Sequence, residues 1–103
     1  MIVEYIRYAL PTGTSAAFGQ AYAEAARSLD QSEHCLAYEL SRCAEDDARY
    51  ILRIEWTSAD GHMQGFRKSA VFAAFFKAIG PYVGHIEEMR HYELTAVRGG
   101  KAA

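Results

Sequence analysis

Imidazole is the side chain best suited to moving protons near neutral pH, and the chain carries four histidines. His62 lies in Gly61-His62-Met63-Gln64-Gly65-Phe66, a segment that reads as helix, and is the candidate for proton transfer. A solvated residue near a helix start is the plainer alternative. Trp56, at the end of an alternating apolar run, offers a flat wall for an aromatic ring and an indole N–H for a polar edge. It serves equally as a core anchor. Tyr38 could present its hydroxyl to a bound ligand, while Phe66, Phe72, Phe75 and Phe76 form an aromatic stripe at helical spacing. Such a stripe is core, or lines a cavity if the helices do not close fully. His34, His85 and His91 share no metal-ligand spacing with one another or with the cysteines, and His34 and Cys35 point to opposite faces of a strand. No metal and no cofactor are expected. Neither a glycine-rich dinucleotide loop nor a nucleophile elbow is present.

The elements that must position these residues follow from periodicity. Residues 1–9 are rich in Ile, Val and Tyr and end before Pro11 and Gly13, which predicts a strand. Phe18, Tyr22, Ala25, Ala26 and Leu29 then repeat with helical period, opposite Gln20, Glu24, Arg27 and Ser28, with Thr14 or Ser15 as cap. After a polar connector from Asp30 to Glu33, Leu36, Tyr38 and Leu40 alternate with polar or small residues. Tyr50, Leu52, Ile54 and Trp56 do the same beyond the turn at 44–47, so the two runs predict an antiparallel hairpin. Ser58 can cap a short helical segment, and Phe72 to Ile79 continue it as a bent second helix stopped by Gly80-Pro81. Residues 85–97 give a last strand, with Ile86, Tyr92 and Leu94 on one side and Met89 and Val97 on the other. The expected domain is 1–97, with a flexible tail over 98–103.

This order, β-α-β-β-α-β, predicts an α+β ferredoxin-like sandwich, with two helices on one face of a four-stranded antiparallel sheet. The other face carries Val3, Tyr5, Ile51 and Met89 in this reading, and something dry should cover it. A second copy is the simplest cover, so a homodimer through the sheet face is expected, with Arg7, Arg53, Glu55 and Glu87 paired across it or at its rim. A net charge of −2 without a basic stripe argues against nucleic acid. No membrane partner is expected, because a charge interrupts the first apolar run and no stretch reaches the roughly 20 residues of a span. A cytoplasmic location follows. Cys35 and Cys43, about 26 Å apart on one extended strand, are expected as free thiols.

The strand ending in Trp56, the His62 helix, the Ser69-x-x-Phe72-x-x-Phe75-Phe76 stretch and the strand Cys35-Leu36-Ala37-Tyr38-Glu39-Leu40 resemble the antibiotic biosynthesis monooxygenase domain. The resemblance covers roughly residues 2–94. It implies a dimeric α+β barrel with one pocket per subunit, used by some members to oxygenate phenols or quinols without metal or flavin. In such a pocket His62 and Trp56 are the expected catalytic residues and Tyr38, Phe66, Phe72 and Phe76 the expected substrate-binding ones, with a small hydrophobic or aromatic ligand as partner. The chain departs from the family in containing no asparagine, a residue that cofactor-free members place beside the substrate. Arg7, Tyr5 and Gln20 are the open replacements. In the heme-degrading branch a helix histidine binds the heme, and Phe66 stands at that position here, which disfavours heme. A non-catalytic dimeric module holding a small ligand or a partner protein is the rival reading.

Overall fold

The computed structural model describes residues 2–101. Its elements are β1 (Ile2–Ala9), α1 (Ser15–Gln31), β2 (Cys35–Arg42), β3 (Arg49–Trp56), a π-helical turn (Gly61–Phe66), α2 (Ala70–Ile79), a 3-10 turn (Gly80–His85) and β4 (Ile86–Glu93). The strands form one antiparallel sheet in the order β2-β3-β1-β4, with the helices on one face, which is the ferredoxin-like arrangement that the periodicity predicts. Residue 1, placed in the first strand from the sequence, and residues 102 and 103 of the expected tail lie outside the described residues. No helix among those described is long and apolar enough to cross a membrane.

The core lies where the even-numbered rows of β1 and β3 meet the helices: Ile6, Tyr8, Leu52, Ile54 and Trp56 pack against Phe18, Tyr22, Leu29, Phe66, Phe75 and Ile79. Ser28, read from its polarity as outward, is buried, because the buried arc of the helix is turned away from the half-buried Ala26 toward Ala25 and Ser28. Thr14 occupies the cap position of α1, yet its hydroxyl donates backwards to the Pro11 carbonyl at 2.8 Å and caps no helical N–H. Ser58 does cap, accepting the Gly61 N–H at 2.8 Å. Gly80 stays right-handed, at φ −49 and ψ −42, so the chain leaves α2 by tightening into a 3-10 turn that carries Pro81 near its start.

Two bulges change which side chains share a face. In β2 the pairing slips between Cys35 and Ala37, so Leu36 stands out at 55% exposure while Cys35, Tyr38 and Leu40 pack toward the core. In β4 the slip falls between the partners of Arg7 and Tyr8, leaving Glu87 as the extra residue. Ile86 therefore pairs with Tyr8 and Met89 with Ile6, both on the helix side, while Tyr92 pairs with Val3 on the free side. This reverses the sequence-based placement of Met89 and Tyr92, since a one-residue slip moves every later side chain to the other face.

The free face of the sheet is mixed. Val3 is fully buried, and Tyr5 meets Tyr92 edge-on with centroids 5.4 Å apart. The charges among them are paired within the chain: Arg7 with Glu88 at 3.3 Å, Arg53 with Glu55 at 2.9 Å, and Arg49 with Glu87 at 2.7 Å. Cys35 and Cys43 are both free thiols.

Candidate functional site

The site begins with a charged residue in an apolar row. Glu4 lies between Ile2 and Ile6 on the helix side of β1, and only 2% of it is exposed. Its Oε1 accepts the Trp56 indole N–H at 3.0 Å, which fixes the carboxyl at the end of β3. After Trp56 the chain turns at Ser58 and enters a π-helical turn, marked by the Arg67 N–H bonding the His62 carbonyl at 3.0 Å. The wide turn brings His62 inward, 6% exposed and stacked on Trp56 with centroids 4.5 Å apart and planes 15° apart. Gly61 and Gly65 are required there because a Cβ at either would crowd neighbouring atoms, the His34 ring foremost at Gly65. His62 is thus no solvated helix residue.

His62 Nε2 lies 3.7 Å from Glu4 Oε1, and its Nδ1 lies 2.7 Å from His91 Nε2. His91 comes from β4, on the row that the bulge turns toward the helices, opposite Glu4. The result is a chain of polar groups, Trp56 to Glu4 to His62 to His91, leading from the core to a solvent-accessible imidazole. The Glu4–His62 separation is that of an ion pair, but burial works against both charges. It pushes the Glu4 carboxyl up to about 7, opposed by the Trp56 hydrogen bond and the Arg67 charge. Burial, with the nearby His91 and Arg67 charges, pushes His62 down to about 4. Burial also lowers His91. The neutral forms win because almost no water reaches the pair to solvate charge.

Glu4, His62 and His91 each offer a ligand atom within 4.8 Å of the others, so the three donors that sequence spacing did not connect could approach one divalent ion. Two nitrogens on one tetrahedral zinc at about 2.05 Å would sit about 3.3 Å apart. The observed 2.7 Å is a hydrogen-bond separation, which favours a shared proton between the imidazoles.

Beside this chain lies a narrow cleft of about 110 Å³, partly open to solvent. Glu4, Trp56 and His62 form its polar edge and Ile6, Ile54, Phe66, Phe72, Phe75, Phe76 and Ile79 its walls, with Arg67 at the rim over the Phe72 ring. Of the candidates named from the sequence, His62, Trp56, Phe66, Phe72 and Phe76 therefore come together, although Phe76 remains 48% exposed. Tyr38 does not join them. It faces a separate shallow groove with Ala26 and Leu52, and its hydroxyl donates to Asp30 at 2.7 Å. Arg7 and Tyr5 lie on the free side of the sheet and Gln20 is exposed on α1, so none of the three takes the missing asparagine's place in the cleft. Sequence reasoning missed Glu4 and His91. A lone carboxylate in the inward row of β1 was the available signal for the first.

The family model described as antibiotic biosynthesis monooxygenase matches residues 1–78. A Bordetella bronchiseptica protein assigned to that group superposes with a TM-score of 0.80 at 28% identity, over 91% of this chain and 96% of its own. SnoaB, a cofactor-independent oxygenase from Streptomyces nogalater, superposes with a TM-score of 0.71 at 17% identity, over 95% of this chain and 94% of its own. Among curated sequences, the uncharacterised protein YczJ of Bacillus subtilis is 23% identical over 93 residues, 90% of this chain and 98% of that protein.

Proposed function

Because the chain belongs to the antibiotic biosynthesis monooxygenase family, we propose that it is a cofactor-independent monooxygenase acting on a small aromatic, phenolic or quinol substrate in the cleft beside Trp56. The observation that carries this reading is the buried Glu4, held near pH 7 by an apolar wall and joined to solvent through His62 and His91. A proton acceptor works best when its pKa lies near the working pH. Glu4 meets that condition and His62 alone does not.

In this reading the substrate supplies the electrons that reduce oxygen once its hydroxyl has lost a proton, and the protein positions, shields and deprotonates it. Glu4 receives the proton, the Trp56 N–H holds the carboxyl in place, and His62 passes the proton to His91 and water. The phenyl walls keep the ring flat and dry, and Arg67 offers positive charge to the developing phenolate. SnoaB, with the same fold, is a cofactor-independent oxygenase, which supports the assignment of reaction type.

We also propose that two copies cover each other's free sheet face, since Tyr5, Ile51 and Tyr92 gather there with their neighbouring charges already paired. A cleft lined by phenylalanines alone would favour the rival binding-module reading, whereas the polar edge formed by Glu4, Trp56 and His62 favours the enzyme. Oxygen uptake on a reactive quinol tests the enzyme: His62→Ala and Glu4→Gln should each slow it by about a hundredfold or more. Unimpaired turnover in both variants removes the proton chain from the mechanism.

A further inference from the structure

The cleft has a second polar feature, away from Glu4. Tyr8 of β1 and Tyr22 of α1 both line it, both are almost completely buried, and their hydroxyl oxygens lie 2.6 Å apart. Two hydroxyls facing each other share one hydrogen and leave the other without an acceptor, whichever of them donates. No further acceptor for that hydrogen occurs among the described residues. Around the pair are rings: Phe18 packs on Tyr8 at 4.8 Å and Phe75 on Tyr22 at 6.2 Å between centroids. A buried donor left unpaired is costly, so a spare hydrogen at the wall of a cleft marks a place for an acceptor brought from outside.

We propose that the Tyr8–Tyr22 pair is a specificity-determining second pole of the cleft, donating a hydrogen bond to a carbonyl-type oxygen on the substrate at the end remote from its ionising hydroxyl. The inference rests on the reading of the cleft as the substrate site and deepens it. Glu4 and Tyr8 share one row of β1 with Ile6 between them, so the two polar features stand at different points along the cleft. A substrate that meets both poles carries a hydroxyl at one and a carbonyl oxygen at the other, with the phenylalanine walls against its ring face. Burial keeps both tyrosines protonated, pushing Tyr8 up to about 12 and Tyr22 higher still, so the pair acts as donor and not as base.

The sole tryptophan of the chain, Trp56, lines the cleft and reports binding by its fluorescence. Two probes separate the poles: a tetrahydronaphthol, which has only the phenol, and the hydroxytetralone that adds a ketone on the far ring. Wild type should bind the hydroxytetralone roughly fivefold more tightly, the usual worth of one hydrogen bond. The double variant Tyr8→Phe/Tyr22→Phe removes both hydroxyls while keeping shape, and should bind the two probes alike. Either single variant still carries one free hydroxyl hydrogen and should keep part of the preference. Equal binding of the two probes by wild type, or a preference retained in the double variant, overturns the second pole alone. If neither probe binds, the substrate-site reading falls and this inference with it.

Discussion

Glu4→Gln keeps the shape of the side chain and an oxygen for the Trp56 N–H but removes the proton that burial forces onto the carboxyl. Glu4 moves from an ordinary 4.5 to about 7 on folding, so the folded chain holds a proton that the unfolded chain releases between those pH values. A raised pKa contributes stability that is present below 4.5 and lost as pH rises through 7. At 1.36 kcal/mol per unit, the loss amounts to about 3 kcal/mol at alkaline pH. His62 acts in the opposite sense, because its pKa falls from 6.5 to about 4: its contribution is present above 6.5 and lost as pH falls through 4. Between 4.5 and 6.5 each state of the wild-type pair holds one proton, on imidazole when unfolded and on carboxyl when folded, so the two effects cancel. In Glu4→Gln only the histidine remains. Denaturant unfolding at one fixed protein concentration, followed by circular dichroism, should show the variant gaining about 3 kcal/mol relative to wild type between about pH 4 and pH 8. A difference that stays constant over that range would mean that Glu4 titrates normally in the folded state, and the proton chain would lose its acceptor.

Three further outcomes follow from the same geometry. Trp56→Phe removes the hydrogen bond that lowers the Glu4 pKa, so the ionisation that limits kcat/KM at low pH should move upward; an unmoved pH profile would refute the indole's role. Dialysis against EDTA should leave oxygen uptake unchanged, whereas a loss restored by a divalent ion would reassign Glu4, His62 and His91 as metal ligands. Size-exclusion chromatography with light scattering should give a dimer at micromolar concentration, and a monomer there would leave the free sheet face without its proposed cover.

The fold was legible because its information is local. Period-two runs at Tyr50 to Trp56 and the helical repeat from Phe18 to Leu29 survive into the structure, and the element order then leaves few topologies. Half of the site was legible for the same reason: Trp56, His62 and Phe66 lie within eleven consecutive residues and meet through one turn. His91 and Met89 were not, because the β4 bulge displaces their row by one residue and no composition signal marks an extra residue in a strand. Tyr38 was misdirected by its strand-mates. The β2 bulge leaves it facing the core, yet on the edge strand, with β3 between it and the Glu4 row of β1.

Glu4 is the residue where local and global preferences conflict, and that conflict is the strongest pointer to chemistry in the chain. Leu, Ile or Val in its place would complete the row of Ile2, Ile6 and Tyr8 at no electrostatic cost, while a carboxyl there lowers stability by about 3 kcal/mol above neutral pH. A domain this small has a total stability of only about 5–15 kcal/mol, so that cost is a large share. Its partners multiply the anomaly. An indole donates to the carboxyl, an unusual π-helical turn aims an imidazole at it, and a strand bulge delivers a second imidazole in contact with the first. Three irregular features of an otherwise regular sandwich converge on one buried proton at the wall of its aromatic cleft, which is the arrangement expected where stability has yielded to function.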